Sequence, residues 1–423
     1  MPACRPLPDI HRGAAWNRSQ PGACLVTMIT GGSMETQVSV VFMGNFTYPR
    51  GMADAKRIQH FIDYLVHESI TPKVLLLRQG GVQVSRDTCD GSHKGVYYKT
   101  IGYDIKLNLF LPFTLFKYLV DGLQALRSWK SNDKKNILYC YGGLTLENIL
   151  FVLFARMSGY LVVLDIVEDN TFIKEKLHLL GKLKWLSGEL LEKHITRFAD
   201  GVVVISSYLQ RLYQKELGTS LPICLIPICA RCQERSDKKP RSEQLKFVYS
   251  GSFAKKDGVE LLIEAFEQVH KENGNCVLML TGVGSNLPEY QARIAGNPAI
   301  RYLGYLDDAE FQQFLQQADV LCITRTGSTY ANAGFPFKLG EYLATGNPVV
   351  VSDVGDVSYY LQNMKDAIIV KADDLTDVKK AMEFCLRNPE EAAKIGLNGQ
   401  SKCREYFDPS ANGRKLLELL QRI

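Results

Sequence analysis

The chain has 423 residues, 46% hydrophobic and 22% charged, with a formal net charge of +5. That length exceeds one ordinary core and makes two domains the expectation, while the composition is that of an ordinary globular protein. The mild basic excess suits anionic small molecules or an anionic membrane surface and does not call for nucleic acid.

Residues 1–35 carry Pro, Arg, Cys and Gly without periodicity and read as a disordered extension. The apolar patch Cys24–Ile29 is short and interrupted by Thr27, unlike the core of a signal peptide. From residue 36 short β-branched runs alternate with helix-like segments, the pattern of parallel sheets covered by helices on both faces. "QVSVVFMGNF" predicts a strand. "YPRGMADAKRIQHFIDYLVHES" predicts a loop and a helix whose apolar face is Ile58, Phe61, Ile62 and Leu65. Further strands are expected at "KVLLLR", "NILYCY", "YLVVLDIV" and "GVVVIS". The run Leu107–Val120 comes nearest to a membrane span, but Pro112 and Lys117 interrupt it. In "KEKLHLLGKLKWLSGELLEKHITRF", Leu179, Leu183, Leu186 and Leu190 share one stripe with lysines elsewhere. This reads either as a core-packed helix with a solvated basic face or as a membrane-surface helix anchored at Trp185.

Polar residues 231–245 read as a linker, after which the rhythm restarts with "FVYSGSFAKKDGVELLIEAFEQVHKENG". Strands are expected at "CVLMLTG", "IRYLGYL", "DVLCIT", "NPVVVSD" and "AIIVKA". The fold class is therefore α/β, with two doubly wound, Rossmann-like domains over 36–230 and 246–405 and a C-terminal helix over 406–423. The 11 cysteines are scattered and odd in number; Cys229–Cys232 is a lone C-x-x-C without a second ligand pair, so free thiols in a reducing compartment are expected.

Two stretches of the second half can carry chemistry. In "FVYSGSFAKKDGVELL" a strand ends at Gly251, a loop carries Ser252, Lys255 and Lys256, and a helix starts near Gly258. Exposed N–H groups and the helix dipole favour an anion there, although two loop lysines can also be plain solvated charges. In "GFPFKLGEYLATG" the lone carboxylate Glu341 sits one turn inside an apolar helix. It can accept hydrogen bonds from a vicinal diol such as ribose, or simply pair with Lys338 one turn back. In the first half, Gly51 precedes a helix bearing Lys56 and Arg57, a second anion-friendly terminus. "LDIVEDN" offers Asp165, Glu168 and Asp169 at a strand end, either for an acceptor hydroxyl or for capping the next helix. Ser206 and Asp307–Asp308 read as caps, "LTGVGSN" lacks the third glycine of a dinucleotide fingerprint, and no Asp-x-Asp is present to hold a metal–diphosphate complex.

Taken together, "SGSFAKKDGVELLIEAF", "YLGYLDDAEFQQFLQQADVLCI" and "GFPFKLGEYLATGNPVVVSDVGD" resemble the C-terminal half of family-four glycosyltransferases, retaining enzymes of the GT-B architecture in which two Rossmann-like domains face a central cleft. "YPRGMADAKRI", "DIVED" and "ADGVVVISSYLQRLYQKELG" resemble the N-terminal half more loosely, so the likeness covers roughly residues 38–423. The resemblance implies that Glu341 binds the ribose of a nucleotide sugar and that Lys256, with Lys255, meets the diphosphate. Amides of Pro336, Phe337, Lys338 and Leu339 would line the same group and the sugar, the loop at Tyr305 would touch the base, and Gly51 would cover the phosphates from the opposite domain. Glu168 would position the acceptor, and a donor phosphate oxygen would receive its proton. No cofactor or metal is implied beyond the nucleotide-diphosphate sugar as co-substrate. The acceptor would be a saccharide or a lipid-linked molecule in a bacterial cell-surface polysaccharide pathway, met in the cytoplasm at the inner face of the membrane with peripheral contact. Two departures stand out: Ala333 occupies a position where many members have glutamate, and Ser252 stands where they have arginine, for which Arg325 can substitute. A nucleotide-sugar 2-epimerase of the same fold and a catalytically degenerate scaffold are the alternative readings.

Overall fold

A computed structural model describes residues 37–423 apart from 50, 52, 79–89, 103–110, 169–190, 192–193, 219, 233–243, 285, 329–330 and 333. The expectations for residues 1–35, Asp169, the leucine stripe with Trp185, most of the linker and Ala333 lie outside the described residues. Among those described, no helix is long and apolar enough to cross a membrane.

Two sheets organise the chain. The first comprises β1 (Val38–Asn45), β2 (Lys73–Arg78), β3 (Asp90–His93), β4 (Val96–Thr100), β5 (Lys135–Tyr141), β6 (Leu161–Ile166), β7 (Gly201–Val204) and β8 (Ile223–Leu225). Its strand order is β3-β4-β2-β1-β5-β6-β7-β8, parallel throughout except for the β3–β4 hairpin. The second comprises β9 (Leu245–Ser250), β10 (Cys276–Thr281), β11 (Ile300–Tyr302), β12 (Val320–Ile323), β13 (Val349–Ser352) and β14 (Ile368–Val370). It is wholly parallel in the order β11-β10-β9-β12-β13-β14. Strand order reverses between β1 and β5 in one sheet and between β9 and β12 in the other, and such switch points open crevices at the carboxyl ends of the strands.

The sequence dictates this layout through nearly continuous apolar strands, since a parallel sheet is buried on both faces. In "LVVLDI" only Leu161 is not fully buried, and the run includes Asp165. Asp165 is tolerated because Arg57 meets it with two hydrogen bonds, 2.9 Å from Nε and 3.0 Å from Nη2, and Arg57 also donates to the carbonyls of Ile226 and Pro227. Both side chains are fully buried. Burial works against the Arg57 charge, but Asp165 overcomes it and holds the guanidinium pKa above its ordinary value. Asp165 and Arg57 thus tie β6 to the segment that follows β8, and both are spent inside the fold rather than offered to an acceptor or an anion.

Nine helices matter below: α1 (Ala53–His67), α2 (Leu111–Trp129), α3 (Ile149–Met157), α4 (Ser207–Leu217), α5 (Val259–Asn273), α6 (Asp308–Gln317), α7 (Phe337–Ala344), α8 (Pro389–Tyr406) and α9 (Pro409–Arg422). Leu416, Leu419 and Leu420 of α9 enter the same core as Ile58, Phe61 and Leu65 of α1, so the chain returns to the first sheet. Lys135 on β5 fixes it by donating to the carbonyls of Gln421 and Ile423, each at 2.8 Å.

The hairpin β3–β4 and the three-residue β8 are additions to the strands expected from sequence. The hairpin strand "DGSH" has no apolar run, and its turn is carried by Lys94 and Gly95, both at positive φ (51° and 81°), the geometry of a two-residue hairpin turn.

Candidate functional site

The loop after β9 is shaped by close backbone approaches. Gly251 has φ 151°, and a Cβ there would stand 2.3 Å from Lys338 Nζ. Gly258 has φ 62°, and a Cβ there would meet the Thr324 carbonyl oxygen at 1.8 Å, so the exit of β12 rests directly on this glycine. Thr324 Oγ1 donates to the Gly258 carbonyl at 2.9 Å. Between these glycines Lys255–Asp257 form one 3-10 turn, and α5 departs at Val259. The Ser252 hydroxyl donates to Asp257 rather than standing open, and Tyr249 donates to the Ser252 carbonyl.

Adjacent residues of the 3-10 turn point different ways. Lys256 lines the central cavity, whereas Lys255, also expected at the diphosphate, is exposed. Lys338 donates to Tyr249 Oη at 3.0 Å and lies 3.3 Å from Asp257 Oδ1 and 4.5 Å from the Tyr249 ring centre. Its pairing with Asp257 replaces the alternative in which it would pair with Glu341. Burial depresses the Lys338 pKa; Asp257 opposes the shift while Arg325 and Lys256 reinforce it. Arg325, after β12, is 7% exposed, and its Nε is buried with no hydrogen-bond partner.

Helix α7 begins against this group with Pro336 as its N-cap residue and no side-chain cap. Proline has no N–H, and the Leu339 N–H donates to the Pro336 carbonyl at 2.9 Å. The N–H groups of Phe337 and Lys338 are therefore the ones an α-helix leaves open here, a correction to the expected run of amides through Pro336 and Leu339. The Leu339 side chain is buried in the core.

These residues bound a cavity of about 410 Å³ between the two sheets. Gly51, Gly251, Ser252, Lys256, Tyr305 and Arg325 line it, with Pro336, Phe337, Lys338, Glu341 and Glu168. Gly51 is obligatory in its turn, since a Cβ would overlap Thr47 Oγ1 at 1.7 Å. Two ion pairs cross the cavity: Lys56 Nζ to Glu341 Oε1 at 2.5 Å, and Lys256 Nζ to Glu168 Oε1 at 3.6 Å. Lys56 also lies 4.7 Å from the Phe311 ring centre. Phe311 and Asp257 are site residues that sequence reasoning did not nominate, and Lys56, expected only at an anion-friendly helix start, meets Glu341 instead. Lys56 and Glu341 are 285 positions apart, and only the juxtaposition of the sheets makes them partners.

A second cavity of about 260 Å³ opens at the β1/β5 switch point and shares Tyr141, Val167, Glu168 and Phe337 with the first. Ser206 caps α4 by accepting from the Leu209 N–H, and Asp307 forms a capping box with Glu310 at α6, so both are structural. Among the described residues no three His, Cys, Asp or Glu side chains gather as a metal site would require.

Residues 244–388 match the family model described as "Glycosyl transferases group 1". The chain is 20% identical over 272 residues to an uncharacterised glycosyltransferase, MJ1069, of Methanocaldococcus jannaschii, an alignment covering 62% of this chain and 68% of the relative. In fold it is similar to sucrose-phosphate synthase from Thermosynechococcus elongatus (TM-score 0.71, 14% identity, 91% of this chain and 99% of the other). It is also similar to Anabaena HepE solved with UDP and glucose (TM-score 0.68, 14% identity, 91% and 100%). Both solved structures belong to the two-domain GT-B architecture expected from the sequence.

Proposed function

We propose that this chain, a glycosyltransferase carrying a group 1 domain in a GT-B fold, moves a sugar from a nucleotide-diphosphate sugar to a hydroxyl of a saccharide or lipid-linked acceptor, with retention and without a metal. The observation that carries the reading is Arg325: a buried guanidinium with an unmet Nε beside Lys338, Lys256 and the open start of α7. A buried, unpaired polar group is costly, and an anionic ligand removes that cost. As the bond from sugar to diphosphate breaks, negative charge grows on the leaving group. Cations and N–H groups already fixed around that position stabilise it without reorganising. Glu341 accepts the ribose hydroxyls. Lys56 occupies one lone pair of Oε1, and a carboxylate has about four acceptor positions, so both partners fit. The base rests against Tyr305, and Glu168 positions the acceptor where the two cavities join. The enzyme works on the cytoplasmic side, at the membrane face.

The group 1 match favours transfer over the 2-epimerase and scaffold readings. The test is thermal stabilisation by UDP, GDP, ADP and dTDP, with UDP first because HepE was solved with it. A ligand at 100 times its Kd stabilises by about 2.7 kcal/mol, a readily measured rise in Tm. One nucleotide should raise Tm, and Glu341→Ala should lose most of the effect. A folded protein that responds to none of the four overturns the proposal.

A further inference from the structure

The chain passes between its two sheets twice. It leaves the first sheet after β8 on its way to β9. It returns at residues 407–408, between α8, whose Ala392 and Ile395 enter the core of the second sheet, and α9. The two crossings touch, for the Ala230 N–H donates to the Phe407 carbonyl at 2.9 Å. The first also runs behind α7, where a Cβ on Gly340 would stand 3.1 Å from both Ala230 Cβ and Ile228 Cδ1.

A thiol stands at each crossing. Cys232 Sγ lies 3.6 Å from the carbonyl oxygen of Gln400, one helical turn before Cys403. Cys403 Sγ lies 3.9 Å from the carbonyl oxygen of Ala230, just before Cys232, and 3.6 Å from that of Gly340. Each sulfur therefore rests against the backbone that carries the other, and the two thiols share a hydrogen bond. Their surroundings differ. Cys232 is half-buried, and the hydrogen bond from Cys403 holds its pKa below the ordinary thiol value, against burial and with help from Arg404. Cys403 is fully buried, and the same hydrogen bond, with burial, keeps its proton in place. An accessible thiol of low pKa beside a second, resolving thiol is the arrangement of a redox-responsive pair. Cys140, Cys276, Cys322 and Cys385 are buried instead, and burial raises the pKa of each, as it does for Cys229.

We propose that Cys232 and Cys403 form a reversible disulfide that clasps the two crossings together, with a low-molecular-weight disulfide such as glutathione disulfide as the oxidant. The Cys232 thiolate attacks one sulfur of the small disulfide, forming a mixed disulfide and expelling one thiolate. Cys403 then gives up its proton and attacks Cys232 Sγ, expelling the second thiolate. Two protein thiols become one disulfide, one small disulfide becomes two thiols, and the two protons leave the cysteines for those thiols. In a compartment that keeps thiols reduced, such a bond is transient and serves as a signal. Its formation withdraws the Cys403 S–H from the carbonyl of Gly340, the neighbour of Glu341 on α7. The inference is independent of the transfer reading, and its test contains no sugar donor or acceptor.

The test equilibrates the full, reduced chain with glutathione buffers of increasing oxidising strength, followed by acid quench, alkylation and peptide mass mapping. A Cys232–Cys403 cross-linked peptide should appear in proportion to [GSSG]/[GSH]², and dithiothreitol should remove it. Cys403→Ser should leave glutathione trapped on Cys232, and Cys232→Ser should leave Cys403 unmodified. Cys232 is only half-buried, so Cys232→Ser keeps the fold and decides the point of attack even if Cys403→Ser does not fold. Amide hydrogen exchange over 228–232 and 404–408 should slow about tenfold or more in the oxidised chain. The proposal is overturned by glutathione on Cys232 of the unchanged chain without a cross-link, by a cross-link to any other cysteine, or by no reaction at all. Exchange unchanged by the cross-link overturns the clasp.

Discussion

Replacing Arg325 by methionine should change the empty and the liganded protein in opposite directions. In the empty protein the guanidinium is 7% exposed, its Nε lacks a partner, and it lies close enough to Lys338 to depress that lysine's pKa. A buried donor without a partner costs roughly 1–3 kcal/mol. Methionine keeps most of the apolar stem and removes both the unmet donor and the like charge, so the empty protein should gain about 1–2 kcal/mol and a few degrees in Tm. In the complex the same change removes a charge-assisted hydrogen bond to the diphosphate, worth about 1.5–3 kcal/mol. UDP should then bind about 10–150-fold more weakly. Differential scanning calorimetry of the empty protein and titration with UDP measure the two halves of the effect. If Tm falls by several degrees, or UDP affinity does not change, Arg325 is a structural residue and the electrostatic account of the site is wrong.

Asp165→Asn should destabilise the fold by about 3–5 kcal/mol, because it leaves the buried Arg57 charge without its counter-ion; denaturant unfolding that moves by less than 1 kcal/mol would refute this. His60 is half-buried with an unpartnered Nδ1, and burial first, then Arg231, lowers its pKa from 6.5 to about 4. The unfolded chain therefore takes up a proton before the folded one, so stability should fall as pH drops from 6.5 towards 4, by about 3 kcal/mol over the window. His60→Gln should flatten that part of the pH–stability curve, and a curve of unchanged slope would refute the assignment. Gly251→Ala should push Lys338 off Asp257 and weaken UDP binding about tenfold or more, since the new Cβ would stand 2.3 Å from Nζ; unchanged UDP affinity would show that the loop absorbs the methyl elsewhere.

All six strands of the second sheet are legible in the sequence as short runs rich in apolar residues, which in β10, β12 and β13 are buried almost throughout. The hairpin β3–β4 is not, since an edge strand such as "DGSH" has no apolar face to announce it and only the Lys94–Gly95 turn gives a local sign. Glu341 is legible as a lone carboxylate in an apolar helix, and Arg325 as a charge at the mouth of a strand. Lys56 is not legible as the partner of Glu341, because that pair depends on how two sheets face each other. The choice between Lys255 and Lys256 turns on the 3-10 geometry, which loop composition does not reveal. The missing N–H at Pro336, by contrast, is written in the sequence and needs no coordinates.

Helix α9 gives the molecule an unusual order of assembly. The first sheet is complete as polypeptide by β8, yet Leu416, Leu419 and Leu420 belong to its core and Lys135 waits for the carbonyls of Gln421 and Ile423. On a ribosome moving at about 5–20 residues per second, the apolar flank of α1 stays uncovered for about 10–40 s after β8 is made. During translation the nascent first half is therefore a natural client for a chaperone. A nonsense codon shortly before residue 409 would damage the opening half of the protein more than the half it truncates.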